Sequence, residues 1–147
     1  WDNGSHRQSA ASMDYALWEQ IMRVNVMAPF QIIQTLLPNL LLGQRRLVIN
    51  MSSDLGSISN NAQGQSYAYR SSKAALNMVS KGLSVELAGD GVAVVSMAPG
   101  WTQTDLGGAQ AQWPVEESVA NQRKVIAGLT AADSGRFVNL LGQDVPW

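Results

Sequence analysis

The chain has 147 residues, 46% hydrophobic and 14% charged, with ten basic against eleven acidic side chains, a formal net charge of −1 and no cysteine. A length within the one-domain range of roughly 100–200 residues, with enough apolar side chains for a core, points to one globular unit and excludes a disordered chain. Missing cysteine excludes disulfide and cysteine–zinc scaffolds, and the balanced charge leaves no field to draw nucleic acid or an anionic membrane surface.

The longest apolar stretch, Leu36 to Leu42, is broken by Pro38 and Asn39 and falls far short of the ~20 residues of a membrane span. No signal-peptide pattern opens the chain, and a cytoplasmic protein is expected.

The opening from Trp1 to Ala11 is polar and aperiodic and reads as a loop; the lone His6 has no metal partner at useful spacing and reads as a surface residue. Ser12 or Asp14 can cap a helix whose apolar residues Leu17, Ile21, Val24, Ala28, Ile32, Leu36 and Leu40 share one face. Pro29 should kink that helix and Pro38 should end it.

After Gly43-Gln44-Arg45-Arg46, the run Leu47 to Met51 predicts a buried strand, and the polar stretch to Gln65 a long loop at its C-terminal end. A second helix is predicted from about Ser66 to Leu87, with Ala75, Leu76, Val79, Leu83 and Leu87 on its apolar side and Gly89-Asp90-Gly91 as its stop. Val92 to Met97 is another buried run, closed by Pro99-Gly100, so strand, helix and strand form a βαβ unit.

Trp101 to Trp113 is rich in Gly and Gln and reads as a mobile loop. Pro114 then suits a first helical turn, with Glu116 and Glu117 at the positive end of a helix reaching about Gly128. Gly135 to Leu141 reads as the last strand, and Trp18, Trp113 and Trp147 read as packing residues. The fold class is α/β: a doubly wound parallel sheet with about three strands and three helices, whose ligands gather beyond the strand ends after Met51 and Met97.

Tyr69 and Lys73 stand four apart near the start of the second helix, on one face. Such a pair occurs on many solvated faces, but a lysine and a helix N-terminus beside a phenol both favour its anion and lower its pKa, fitting it to exchange a proton with an alcohol or carbonyl.

Around the pair stand the strand end Asn50-Met51-Ser52-Ser53, the run Tyr69-Arg70-Ser71-Ser72-Lys73-Ala74-Ala75-Leu76-Asn77 and the loop Pro99-Gly100-Trp101-Thr102-Gln103-Thr104. This ordered set resembles the short-chain dehydrogenase/reductase family. With Gly107-Gly108 and Gly135-Arg136-Phe137-Val138-Asn139 it looks most like the sniffer and C-factor branch of carbonyl reductases.

The resemblance implies a Rossmann-like fold and NAD(P)-dependent hydride transfer between a carbonyl and an alcohol, with a small carbonyl or alcohol substrate, NADP or NAD as cofactor, and a homodimer or homotetramer. It implies Tyr69 as proton donor and acceptor, Lys73 on the nicotinamide ribose, and Ser53 on the substrate oxygen. It places Pro99, Gly100 and Trp101 against the nicotinamide amide and Thr104 against amide or phosphate.

Asn25 matches the helix asparagine that holds a water in the family's proton relay, or else satisfies a buried carbonyl. Ser53 precedes Tyr69 by sixteen residues and Ser57 by twelve. Ser53 is preferred because it directly follows the strand, and Ser57 stays open as the alternative.

The family's Gly-x-x-x-Gly-x-Gly turn and Asn-Asn-Ala-Gly segment are absent, with Asp2-Asn3-Gly4 at most a remnant of the latter. Residues 1–147 therefore read as the C-terminal catalytic part of a single Rossmann-like domain. With three strands, Leu47-Val48-Ile49 would form an apolar sheet edge, so either part of a longer reductase or a short self-associating chain is expected. The alternative function is a non-catalytic, reductase-like interaction or dimerisation module.

Overall fold

A computed structural model describes residues 8–147; His6 and Asp2-Asn3-Gly4 lie outside the described residues. The first difference from expectation lies at residues 8–13, where β1 (Gln8–Ser9) pairs antiparallel with β2 (Ser12–Met13) instead of forming a loop. Asp14 then caps α1 (Tyr15–Met22), its carboxylate accepting from the Leu17 N–H at 2.9 Å, which meets one of the unpaired donors of a helix start.

A π-helical turn over Arg23–Met27 joins α1 to α2 (Ala28–Leu42). It corrects the single apolar face expected over Leu17 to Leu40. Ile21 and Ile33 are the buried residues, with Leu37, Leu40 and Leu41 packed beside Ile33, whereas Val24, Ile32 and Leu36 are exposed.

In an unbroken α-helix, positions 21 and 33 would point about 120° apart at ~100° per residue; the extra residue of the π turn brings them back to one side. Pro29 follows the π turn directly within a continuous helix, so the place where its missing N–H breaks the regular bonding coincides with that turn. Pro38 does not end the helix, which runs on to Leu42. Gln34 and Pro38 are both exposed, so water can meet the carbonyl that Pro38 leaves without a partner.

The sheet is parallel, in the order β3 (Leu47–Met51), β4 (Ala93–Ala98), β5 (Phe137–Asn139), with Leu47 opposite Ala93 and Ser96 opposite Phe137. β4 is central and every residue in it is buried. Alternation along the strands splits the core into two layers. Val94 and Val48 face Ile33 and Leu83, on α2 and α3 (Tyr67–Glu86); Val95, Met97 and Ile49 face Val125 and Ile126 of α4 (Val115–Gly128). Helices on both faces make this the doubly wound α/β architecture expected.

The buried side of α3 carries Leu76 and Leu83 but also Ser72, Ser80 and Ser84. Each serine hydroxyl donates to a carbonyl about one turn back, at 2.7–2.8 Å, so these small polar side chains are satisfied inside the core. The Asn50 amide of β3 adds a cross-link, donating to Ser80 Oγ at 2.8 Å.

Candidate active site

The loops leaving β3 and β4 face one another across a cleft of about 820 Å³, as the strand-end argument expects. Ser53 and Tyr69 form one wall with Leu55; Pro99 to Thr102, Thr104 and Leu106 form the other, closed by Val115 and Val119 of α4. The exposed Trp101, Leu106, Val115 and Val119 give this mouth an apolar rim.

Tyr69 reaches the cleft through an unusual entry to α3. Gly64, Gln65 and Ser66 all have positive φ (65°, 56° and 46°), and Ser66 makes no side-chain cap. The cap comes from far along the chain: Gln8, buried in β1, accepts from the Tyr69 N–H at 3.1 Å through Oε1.

Ser53 and Tyr69 line the same cleft, and the Ser53 Oγ accepts from the Leu55 N–H at 3.2 Å. Burial pushes the phenol above its ordinary pKa, with the neighbouring Ser53 side chain pulling the other way. This corrects the expectation of a lowered phenol. Lys73 Nζ lies 5.7 Å from the Tyr69 ring centroid, donates to the Met51 carbonyl at 2.9 Å, and is itself held below the ordinary ammonium value by burial.

Asn25 sits in the π turn, where its amide donates to Ser72 Oγ at 3.0 Å, and Ser72 in turn donates to the Tyr69 carbonyl at 2.8 Å. Asn25, against α3, and Lys73, one turn beyond Tyr69 on it, do not line the cleft. Ser57, the alternative to Ser53, is 2% exposed and donates to the Pro146 carbonyl at 2.6 Å, so its hydroxyl is committed elsewhere.

Of two supports of the far wall, Ser118 carries no obvious sequence signal, whereas Gly107 belongs to the Gly107-Gly108 pair of the resemblance. Ser118 is fully buried and donates to the Pro99 carbonyl at 2.9 Å, while accepting from Thr102 Oγ1 at 3.1 Å and Gln122 Nε2 at 2.9 Å. At Gly107 a Cβ would lie 1.9 Å from the Thr102 carbonyl oxygen, so no other residue fits the loop as folded. Thr104 Oγ1 accepts from the Gly107 N–H at 3.1 Å, and the Trp101 indole donates to the Gly107 carbonyl at 2.8 Å.

The donor set fits the nicotinamide end of a dinucleotide: a phenol and a threonine hydroxyl line the cleft with a turn whose Gly100 (φ +76°) has no room for a Cβ beside Trp113 and Leu140, and the Lys73 ammonium lies near the phenol ring. Among the described residues no group of His, Cys, Asp or Glu could hold a metal ion, and no helix is long and apolar enough to cross a membrane.

A family model described as short chain dehydrogenase matches residues 3–115. C-signal of Myxococcus xanthus is 41% identical over 135 residues, which are 92% of this chain and 81% of that protein. Among solved structures, the carbonyl reductase Sniffer of D. melanogaster superposes with a TM-score of 0.90 at 34% identity, over 94% of this chain and 60% of its own. The NADPH-bound carbonyl reductase from chicken fatty liver superposes at 0.88 with 32% identity, over 95% of this chain and 60% of its own. The chain thus spans about three-fifths of these two solved relatives.

Proposed function

This chain belongs to the short-chain dehydrogenase family, and from that premise we propose that residues 1–147 are the catalytic C-terminal part of a Rossmann-like NAD(P)-dependent oxidoreductase that interconverts a small carbonyl compound and its alcohol. The observation that carries this reading is that Ser53 and Tyr69 line one cleft together with the Pro99 to Thr104 turn.

Tyr69 and Lys73 would hold the ribose of NAD or NADP, and the Pro99-Gly100-Trp101 backbone with Thr104 would hold the nicotinamide amide. When bound, the reduced dinucleotide supplies the hydride that the carbonyl carbon accepts. The protein's part is the proton. Ser53 orients the carbonyl oxygen, and Tyr69 gives it the phenolic proton as the C=O bond becomes CH–OH; in the oxidation direction the same phenol oxygen takes the proton back.

A phenol whose pKa burial has raised stays protonated at neutral pH, which suits it as the acid for carbonyl reduction. Asn25 acts behind Tyr69 through Ser72, at a π turn of the kind common beside functional sites. The apolar rim of Trp101, Leu106, Val115 and Val119 favours substrates with a hydrophobic body.

Self-association as a homodimer or homotetramer is part of the reading. It is supported by Met78 and Val85, seven apart on one side of α3 and about 70% exposed; sedimentation of the intact protein checks it. The test of the chemistry is Tyr69→Phe in the full-length protein. Turnover should fall by at least about a thousandfold, consistent with loss of general acid catalysis, while NAD(P)H affinity falls by no more than about tenfold, the loss of one ribose hydrogen bond. Turnover within tenfold of the parent would reject the assignment.

A further inference from the structure

Building on the assignment of Ser53 beside Tyr69, we propose that the segment Val145 to Trp147 is a clamp that sets the position of the catalytic serine, and that Ser57 is the positioning residue through which it acts.

Ser53 lies between the sheet and a loop whose first turn rests on α3 through Gly56. On its entry side the sheet fixes the chain: the Ser52 N–H donates to the Met97 carbonyl at 2.7 Å, extending the β3–β4 ladder by one residue. On its exit side a single 3₁₀ turn (Asp54–Gly56) is followed by ten residues without regular structure before α3, among them Ile58 at 76% exposure. A side chain in that place keeps one position only if the exit is also held.

α3 supports only the first turn, and the hold on the loop beyond it comes from the other edge of the sheet. Ser57 Oγ donates to the Pro146 carbonyl at 2.6 Å, and Ser59 donates to the Trp147 carbonyl through both its N–H (3.0 Å) and its hydroxyl (2.8 Å). Three donors of one loop therefore converge on two successive carbonyls. The accepting segment is itself anchored to β5: the Val145 N–H donates to the Phe137 carbonyl at 2.8 Å, and the Trp147 ring packs against the Phe137 ring at 5.5 Å between centroids.

β3 and β5 do not pair with one another, since β4 lies between them. The clamp is thus a direct tie between the loop after one outer strand and the other outer strand. The last link to the serine is short, because the Ser57 N–H donates to the Asp54 carbonyl at 3.0 Å and closes the turn that begins at Ser53. Releasing Ser57 lets that turn shift, and a shift of about 1 Å at a catalytic group can cost on the order of a hundredfold in rate.

The experiment is a double-mutant cycle in the full-length protein, with Ser57→Ala, Ser53→Ala and their combination, alongside Trp147→Ala and Trp147→Phe. Ser57→Ala should lower kcat about tenfold or more with KM changed less than about twofold, and this loss should disappear in the Ser53→Ala background. Trp147→Ala should reproduce the loss and Trp147→Phe, which keeps an aromatic ring on Phe137, should restore most of it; these two carry the prediction if Ser57→Ala does not fold.

A kcat for Ser57→Ala equal to the parent's, while Ser53→Ala and Tyr69→Phe are impaired, overturns the clamp and leaves the proposed function standing. A loss of the same size with or without Ser53 overturns it too, by showing that Ser57 acts by another route. Unchanged kcat in Ser53→Ala overturns the serine assignment itself, and the clamp with it.

Discussion

Gly56→Ala puts the packing beneath the candidate site to a quantitative test. A Cβ at Gly56 would lie 2.9 Å from both the carbonyl carbon and the Cβ of Lys73, and 3.1 Å from its carbonyl oxygen. Carbon atoms pack at about 3.5–4.0 Å, so the turn and α3 would have to part by roughly 0.6–1 Å. Two of the three atoms belong to helix backbone and cannot swing aside as a side chain would.

Overpacking of this kind costs about 1–3 kcal/mol. Against it stands the usual gain of about 0.4–1 kcal/mol when alanine restricts the unfolded chain, since Gly56 does not have a left-handed φ. The net expectation is a loss of roughly 0–2.6 kcal/mol with its centre at about 1.3 kcal/mol, which is a fall in Tm of about 4 °C for a domain of this size.

The control is Gly82→Ala on α3, where no heavy atom lies within 4 Å of the added Cβ and the helix should gain about 0.5–1 kcal/mol. Calorimetric melts of both variants decide the matter. Because the strain separates Ser53 from Tyr69 and Lys73, kcat should fall with stability in Gly56→Ala alone. A Gly56→Ala protein as stable as Gly82→Ala, with parental kcat, would refute the close-packing argument.

Ser118→Ala should destabilise by about 1–3 kcal/mol, because Thr102 and Gln122 lose an acceptor in a fully buried place, and it should loosen the Pro99 to Thr102 turn. Chemical denaturation and NAD(P)H titration of the full-length protein would show both effects. Tyr69 also predicts an alkaline signature. Burial raises its native pKa, so the folded state holds the phenolic proton more tightly than the unfolded one; that contribution is complete below the ordinary phenol value of 10.0 and is lost as pH climbs from there toward the native value. Lys73, lowered by burial, acts in the opposite sense just below 10.5. Stability of Tyr69→Phe should therefore fall less than the parent's above pH 10, and parallel curves would refute the assignment of direction.

The order of elements was legible because strand runs such as Leu47 to Met51 and Val92 to Met97 are short, β-branched and bounded by turn residues, and because Asp14 and Pro114 mark helix starts by local chemistry. The choice between Ile32 and Ile33 was not. It depends on one extra residue in the π turn, and nothing in the spacing of Val24, Ala28 and Ile32 announces that residue. The candidate site divides in the same way. Ser53, Tyr69 and the Pro99 to Thr104 turn lie on rigid elements at strand ends or a helix start, where pattern and position coincide.

Gln8, Ser118 and the Ser57 contact to Pro146 were invisible because they are long-range hydrogen bonds. They join residues 61, 19 and 89 positions apart, and each partner is an ordinary polar residue or a backbone group. The phenol's pKa was misjudged in direction because spacing places a lysine nearby but says nothing of how far loops remove the phenol from water.

The left-handed run from Gly64 to Ser66 carries a consequence for how this protein can change. Two of its three residues are not glycine, and each pays on the order of 1 kcal/mol for a conformation that glycine adopts freely. Substitution of Gln65 or Ser66 by glycine or asparagine is therefore a short step toward a more stable protein, beside the cleft and immediately before Tyr69. That the sequence stands off this local optimum marks the turn as a place where directed evolution for heat resistance would collect early gains, and where those gains would trade most directly against turnover.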